Sequence, residues 1–255
     1  MNKLVVLGAG WLGKPLCLQA KAKGWQVEGT RTQLRNNSES YERVFCLNDD
    51  KLESTISLEN AWWVCAVPPR ARQKESNYLR LLNKALSLSN SFKRKGFLLC
   101  SSTGVYPSEA QTYTEQCDVF NVNLSPRQSI LVEAEKMVLG HGGKLLRLAG
   151  LVGPSREPGR FVAAKQLTSS SQSLVNMVHQ QDVLNAIFCV LENWQQAEDI
   201  YNVCHPSHPT RLSYYQQKCA HWGSALPTFA SDEAVARVVD GSGITALGFS
   251  YQHEI

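Results

Sequence analysis

Two short stretches of this chain carry residue types at spacings that could do chemistry. The first is "LVVLGAGWLGKPL", which sets Gly8, Gly10 and Gly13 in a G-x-G-x-x-G pattern. It follows an apolar run and opens a helical pattern, the context in which such glycines cradle a dinucleotide. Gly8 permits a tight turn, Gly10 lets the backbone approach a pyrophosphate, and Gly13 lets helix and strand pack closely. The N–H groups of the first helical turn, with the helix dipole, attract the phosphates. The second stretch is "SYYQQK", where Tyr214 stands four residues before Lys218. On a helix the two share a face. An ammonium beside a phenol favours the phenolate, so such a pair could move a proton near neutral pH.

The glycine loop raises the question of which dinucleotide it serves. An NAD site wants an acid about 20 residues on, to hold the ribose hydroxyls. A literal count reaches Glu28, but "WQVEGTRTQLR" puts Glu28 inside the second strand. The carboxyl end of that strand, where ligands sit, falls at Thr30 and Arg31. An arginine there pairs with a 2′-phosphate. The expected cofactor is therefore NADP, with NAD as the second choice and Glu28 on the ribose in that case. Arg31 is the main expected contact, helped by Thr30, Thr32 and Arg35. Trp11 and Leu12 inside the loop, and Val67 and Pro68 at the end of a later strand, complete the expected cofactor contacts.

Such a site needs a scaffold that gathers strand ends. Apolar runs predict strands over 3–7, 25–30, 43–46, 61–67, 96–101 and 144–148, several apolar on both faces as in a central parallel sheet. Helices are expected over 11–23, ending at Gly24, over 73–89, and over 125–139. The last has Ser125 as N-cap, Pro126 in the first helical position, Gln128 to complete a capping box, and Gly140 as its stop. Alternation of this kind predicts an α/β fold, a Rossmann-type doubly wound parallel sheet. Residues 150–175 are rich in Gly, Pro, Ser and basic side chains and read as an excursion. Residues 205–255 read as a small C-terminal substrate lobe, with a helix near 211–222 after Thr210. The expected division is 1–153 with 176–204 for the dinucleotide-binding domain, and 154–175 with 205–255 for the lobe.

At "LLCSSTGVYP" the motifs become more specific. A strand ending in Ser-Ser-Thr and followed by Val-Tyr resembles the extended short-chain dehydrogenase/reductases, the NAD-dependent epimerase/dehydratase group. "LLRLAGLVGPSR", "NMVHQQDVLNAI", "IYNVCHPSHPTRLSYYQQKCAHWG" and "ALGFSY" follow in that family's order, so the resemblance spans nearly the whole chain. It implies a nicotinamide cofactor and a Rossmann domain with a small lobe. It also implies a catalytic tyrosine and lysine one turn apart on the helix "SPRQSILVEAEKMVL". One register places Arg127 and Leu131 at those positions, and the other Ser125 and Ser129, so neither supplies the pair. The chain therefore resembles an atypical branch. Ser102 matches the family's active-site serine and would hydrogen-bond a substrate oxygen. Tyr106, with Tyr113 as another candidate, could replace the missing proton donor. Thr103, Arg156 and His179 are expected near substrate, and the arginines suit an anionic substrate such as a sugar diphosphate. Tyr214 and Lys218 lie beyond the last sheet strand, so they read as surface residues of the lobe.

Composition narrows the partners. The chain has 255 residues, 43% hydrophobic and 19% charged, with a net charge of +4. That charge is too scattered to argue for nucleic acid. No run is long and apolar enough to span a membrane. Eight cysteines occur without a C-x-x-C pair, several inside apolar runs, so reduced core thiols of a cytoplasmic protein are expected and no metal site. The expected partner is a small molecule, bound by a monomer or homodimer. Two functions follow: an NADP-dependent oxidoreductase or epimerase/dehydratase-like enzyme, or a catalytically silent NADP(H)-binding sensor or scaffold.

Overall fold

The structure, a computed structural model, describes residues 1–48, 50–69, 76–120 and 123–255. The elements run β1 (Lys3–Leu7), α1 (Gly13–Ala22), β2 (Gln26–Arg31), β3 (Glu42–Asn48), β4 (Lys51–Ser54), β5 (Trp62–Cys65), α2 (Tyr78–Ser91), β6 (Gly96–Ser102), β7 (Thr112–Tyr113), α3 (Pro126–Gly140) and β8 (Lys144–Leu148). They continue with β9 (Gly150–Val152), α4 (Pro158–Phe161), β10 (Gln166–Ser170), β11 (Met177–His179), α5 (Gln180–Glu192), β12 (Ile200–Val203), α6 (Arg211–Trp222), β13 (Thr228–Ser231) and β14 (Val238–Val239). The expected start of the second helix, at 73–75, lies outside the described residues.

Eight strands form one sheet in the order β12-β8-β6-β5-β1-β2-β3-β4. The order reverses at β1, which pairs in parallel with β2 on one side and β5 on the other, giving the doubly wound arrangement. β4 turns back antiparallel on β3, a hairpin the apolar pattern did not signal. Leu4, Val5, Val6 and Leu7 are all fully buried, because helices cover a parallel sheet on both faces. On the face that carries α2 and α3, Trp63, Leu82, Leu86, Phe97, Leu99, Ala134 and Val138 form a continuous core.

The local signals hold at several helix ends. Ser125 and Gln128 form the full capping box, and Thr210 caps α6 through the Ser213 N–H. Gly24 takes a φ of +77° after α1. The expected stop at Gly140 is a correction: that residue is the last of α3, and Gly142, with a φ of +69°, turns the chain.

Two compact units divide the chain. The first holds Met1–Val105, Val119–Leu146 and Val190–Ile200; the second holds Tyr106–Asp118, Arg147–Cys189 and Tyr201–Ile255. The second is therefore larger than the expected lobe. Its hydrogen bonds explain why, since β7 pairs with β14 and β9 with β11. Val152, Val162, Val175, Tyr214, Tyr215 and Cys219 form its core. All eight cysteines are free thiols. Burial pushes the Cys17 pKa up to about 12 and that of Cys65 to about 11. Among the described residues no helix is long and apolar enough to cross a membrane. Among the same residues, no cluster of three His, Cys, Asp or Glu side chains could hold a metal ion.

Candidate functional site

In the first unit the glycine loop joins β1 to α1. Gly8 adopts a φ of +87°, which side-chain-bearing residues avoid, and its N–H donates to Thr30 Oγ1 at 2.9 Å. A Cβ on Gly13 would lie 2.1 Å from the Gly8 carbonyl oxygen, so that position admits only glycine. Gly10 differs, since a Cβ there would meet nothing within 4 Å. The protein's own packing does not require glycine at that position. A ligand approaching the backbone would. Helix α1 starts beyond it with Leu12 in the capping position and no side chain closing the first turn. These features fit a pyrophosphate held by backbone N–H groups. Thr30 requires correction as a direct contact. It is buried, its hydroxyl takes the Gly8 N–H and its carbonyl takes the Ala9 N–H, so it sets the shape of the loop.

Beside the loop lies a pocket of about 490 Å³, lined among others by Thr32, Phe45, Cys46, Val67, Pro68 and Tyr78. Its size suits a nucleoside. Val67 also packs on the loop, its side chain 3.0 Å from where a Cβ on Gly8 would stand.

Two Arg–Glu pairs link β2 to β3 near this pocket. Glu28 is buried and accepts four hydrogen bonds: from Arg43 Nε at 2.8 Å, Ser57 N at 2.9 Å, Ser57 Oγ at 2.7 Å and Leu58 N at 3.1 Å. Both of its oxygens are spent inside the protein, which removes it as a ribose acceptor. Arg31 donates through Nε to the buried carboxylate of Glu42. Among the described residues nothing accepts from its two terminal nitrogens. Burial works to raise the Glu42 pKa, but the hydrogen bonds from Arg31 and Ser38 outweigh it and the pKa is lowered. Glu42 gave no signal in the sequence, because it meets Arg31 only through strand pairing. Arg35 is exposed, in the bend after β2, and its backbone N–H donates to Ser38 Oγ.

At the end of β6, Ser101 Oγ donates to the buried Glu135 carboxylate at 2.5 Å, tying the strand to α3. Ser102 Oγ accepts the Gly104 N–H at 3.1 Å. A Cβ on Gly104 would stand 3.2 Å from Ser102 Oγ, 3.4 Å from Leu131 Cδ1 and 3.9 Å from Arg127 Nη2. Of the two registers, therefore, the one with Arg127 and Leu131 faces the strand end. Ser125 is spent on the cap, and Ser129 Oγ donates to the Ser125 carbonyl. Thr103 follows, buried.

The remaining expected residues lie in the second unit. Tyr106 is buried, donates to Asn202 Oδ1 (2.8 Å) and the Thr114 carbonyl (3.0 Å), and accepts from Arg147 Nη1 at 2.9 Å. Its ring stacks on Tyr113, and Arg147 and Arg237 lie over the two rings. Burial raises its pKa against the pull of Arg147. Tyr106 as a substitute proton donor is thus corrected to a structural tyrosine, because a sealed, fully engaged hydroxyl has no proton to lend. His179 stacks on His253 and takes the Gln181 N–H on Nδ1. Arg156 sits exposed in a turn, where its N–H meets the Gly153 carbonyl. Tyr214 is a core residue rather than a surface one. Lys218 lies over its ring, and burial pushes the phenol pKa up, opposite to what proton transfer needs.

This fold is that of the NAD-dependent epimerase/dehydratase group of short-chain dehydrogenase/reductases. It resembles MoeE5 in complex with UDP-glucose and NAD, with a TM-score of 0.81 and 17% identity, covering 100% of this chain and 95% of that one. It also resembles a short-chain dehydrogenase/reductase superfamily protein from Agrobacterium tumefaciens with bound NAD, with a TM-score of 0.76 and 14% identity, covering 99% and 93%. No protein-family model matches the chain. It belongs to the family of protein YeeZ of Escherichia coli K12, with which it shares 32% identity over 99% of this chain and 97% of that protein.

Proposed function

We propose that the chain is an NADP-binding oxidoreductase or epimerase/dehydratase-like enzyme acting on a small anionic substrate. The observation that carries the cofactor assignment is Glu28, whose carboxylate already takes four hydrogen bonds. With it gone from the ribose, the polar group at the end of β2 is Arg31, held by Glu42 with its terminal nitrogens available for a 2′-phosphate. Gly8, Gly10 and Gly13 would seat the pyrophosphate, and the pocket by Val67, Pro68 and Tyr78 the nucleoside. A bound nicotinamide supplies the hydride chemistry. Ser102 holds its N–H partner as an acceptor and so keeps its own O–H to donate to a substrate oxygen.

One observation favours a second reading, the silent sensor or scaffold. Arg127 and Leu131 lie beside the end of β6, and in the register of the family resemblance that they occupy, the usual tyrosine and lysine would be replaced. The test is to titrate NADPH and NADH, then follow nicotinamide absorbance with a panel of aldehydes, ketones, quinones and nucleotide sugars. Tight NADPH binding with turnover that Ser102→Ala abolishes is the expected result. Tight binding with no turnover supports the silent reading, and no binding of either dinucleotide ends both.

A further inference from the structure

Past the end of β6, Gly104 lies beside Arg127 and Leu131 of α3. Arg127 is exposed on the first turn of α3, and among the described residues no group pairs with its guanidinium. Its Nη2 and Ser102 Oγ both lie within 4 Å of the point where a Cβ on residue 104 would stand. Gly104 has no positive φ, so the backbone does not demand glycine there. A Cβ there would stand 3.2 Å from Ser102 Oγ, 3.4 Å from Leu131 Cδ1 and 3.9 Å from Arg127 Nη2, so it would occupy the space between these three groups. The result is a notch with a hydroxyl donor on one wall, a guanidinium on the other and the apolar Leu131 at its base.

We infer that this notch binds the carboxylate of a small substrate, Arg127 taking the two oxygens and Ser102 adding a hydroxyl donor. A guanidinium is a planar fork of donors that matches a carboxylate in shape. It also keeps its proton at any physiological pH, so it cannot replace a tyrosine as proton donor. It can only hold charge. One guanidinium balances one carboxylate, whereas a phosphate dianion would leave a charge unmatched. The substrate class is therefore a carboxylate-bearing carbonyl or hydroxyl compound. Calling it a substrate rests on the nicotinamide reading above, but the binding site itself does not.

Calorimetry tests both separately. Pyruvate and its neutral isostere pyruvamide are titrated into the protein alone and with saturating NADP+, which cannot reduce either. Pyruvate is expected to bind about tenfold or more tightly than pyruvamide, the share of one charge-assisted bidentate contact. Arg127→Met should remove that margin, Arg127→Lys keep part of it, and Ser102→Ala weaken pyruvate less. The exposed position of Arg127 lets both variants fold, and their NADP+ affinity should match the parent's. No pyruvate binding by the parent, equal binding by Arg127→Met, equal binding of pyruvamide, or tighter binding of inorganic phosphate would each overturn the carboxylate site. Absent NADP+ binding would instead bring down the cofactor reading, while the titration without cofactor still decides the notch.

Discussion

Arg43–Glu28 and Arg31–Glu42 join the same two strands a few residues apart, with opposite consequences. Glu28 sits in the middle of β2, where Arg43 and the 57–58 backbone close around both of its oxygens. Arg31 is the last residue of β2, and Glu42 engages only its Nε. A buried carboxylate must collect donors to be tolerated, and doing so leaves nothing for a ligand. An arginine at a strand end can be oriented by one partner and still present its other donors. The same contrast separates two regions of the first unit. The glycine loop has a backbone shape that only glycine permits at Gly8 and Gly13, while the face of α3 toward β6 presents the fixed charge of Arg127 beside Leu131.

Breaking the closed pair should have the largest effect. Glu28→Ala leaves Arg43 and two backbone N–H groups without their acceptor, and should cost about 3 kcal/mol of unfolding free energy in a urea titration. A loss below about 1 kcal/mol, the level of a surface pair, would show that Glu28 is not closed in. Next comes the contrast within the loop. Gly13→Ala places a Cβ on the Gly8 carbonyl and should cost about 1–3 kcal/mol. Gly10→Ala meets no protein atom, so it should leave the melting temperature in place and weaken NADPH instead. Equal destabilisation by both would refute the division of roles.

Arg31→Ala sharpens the open pair. Stability should fall by about 1–3 kcal/mol, because the buried Glu42 carboxylate loses its charged donor, while NADPH affinity falls about tenfold or more and NADH affinity stays. Glu42→Gln removes the competing carboxylate and should tighten NADPH. Equal loss of both dinucleotides in Arg31→Ala would remove the 2′-phosphate assignment. The smallest effect is expected in the second unit, from pH. Burial, then His253, lowers the His179 pKa below its ordinary 6.5, and burial lowers that of His205. The unfolded chain therefore binds more protons than the folded one near and below pH 6.5. Stability should be full above that pH and decline as pH falls, and His179→Gln should flatten the decline in thermal melts at stepped pH.

Much of this molecule was legible in its residues. The glycine spacing, the apolar runs of β1 and β8, the Ser125–Gln128 capping box and the Thr210 cap depend on contacts within a turn or two of chain. Side-chain size and local hydrogen bonding decide such features. That is why the class of fold and the shape of the glycine loop could be read directly. The absence of a Tyr–Lys pair on α3 was legible for the same reason, since no register of the helix supplies it.

Other features were decided only when distant segments met. Strand pairing between β2 and β3 chose which glutamate would be consumed and which arginine left open. The packing of α3 on β6 set Arg127 and Leu131, not Ser125 and Ser129, beside Gly104. Tyr106 looked available beside its strand end, but Arg147 and Asn202, far along the chain, enclose its hydroxyl. Hydrogen bonds of β7 and β9 to later strands drew residues 106–118 and 147–153 into the second unit. Burial and charge at a site are sums over all neighbours, and a linear sequence names the members of that sum without saying which of them will meet.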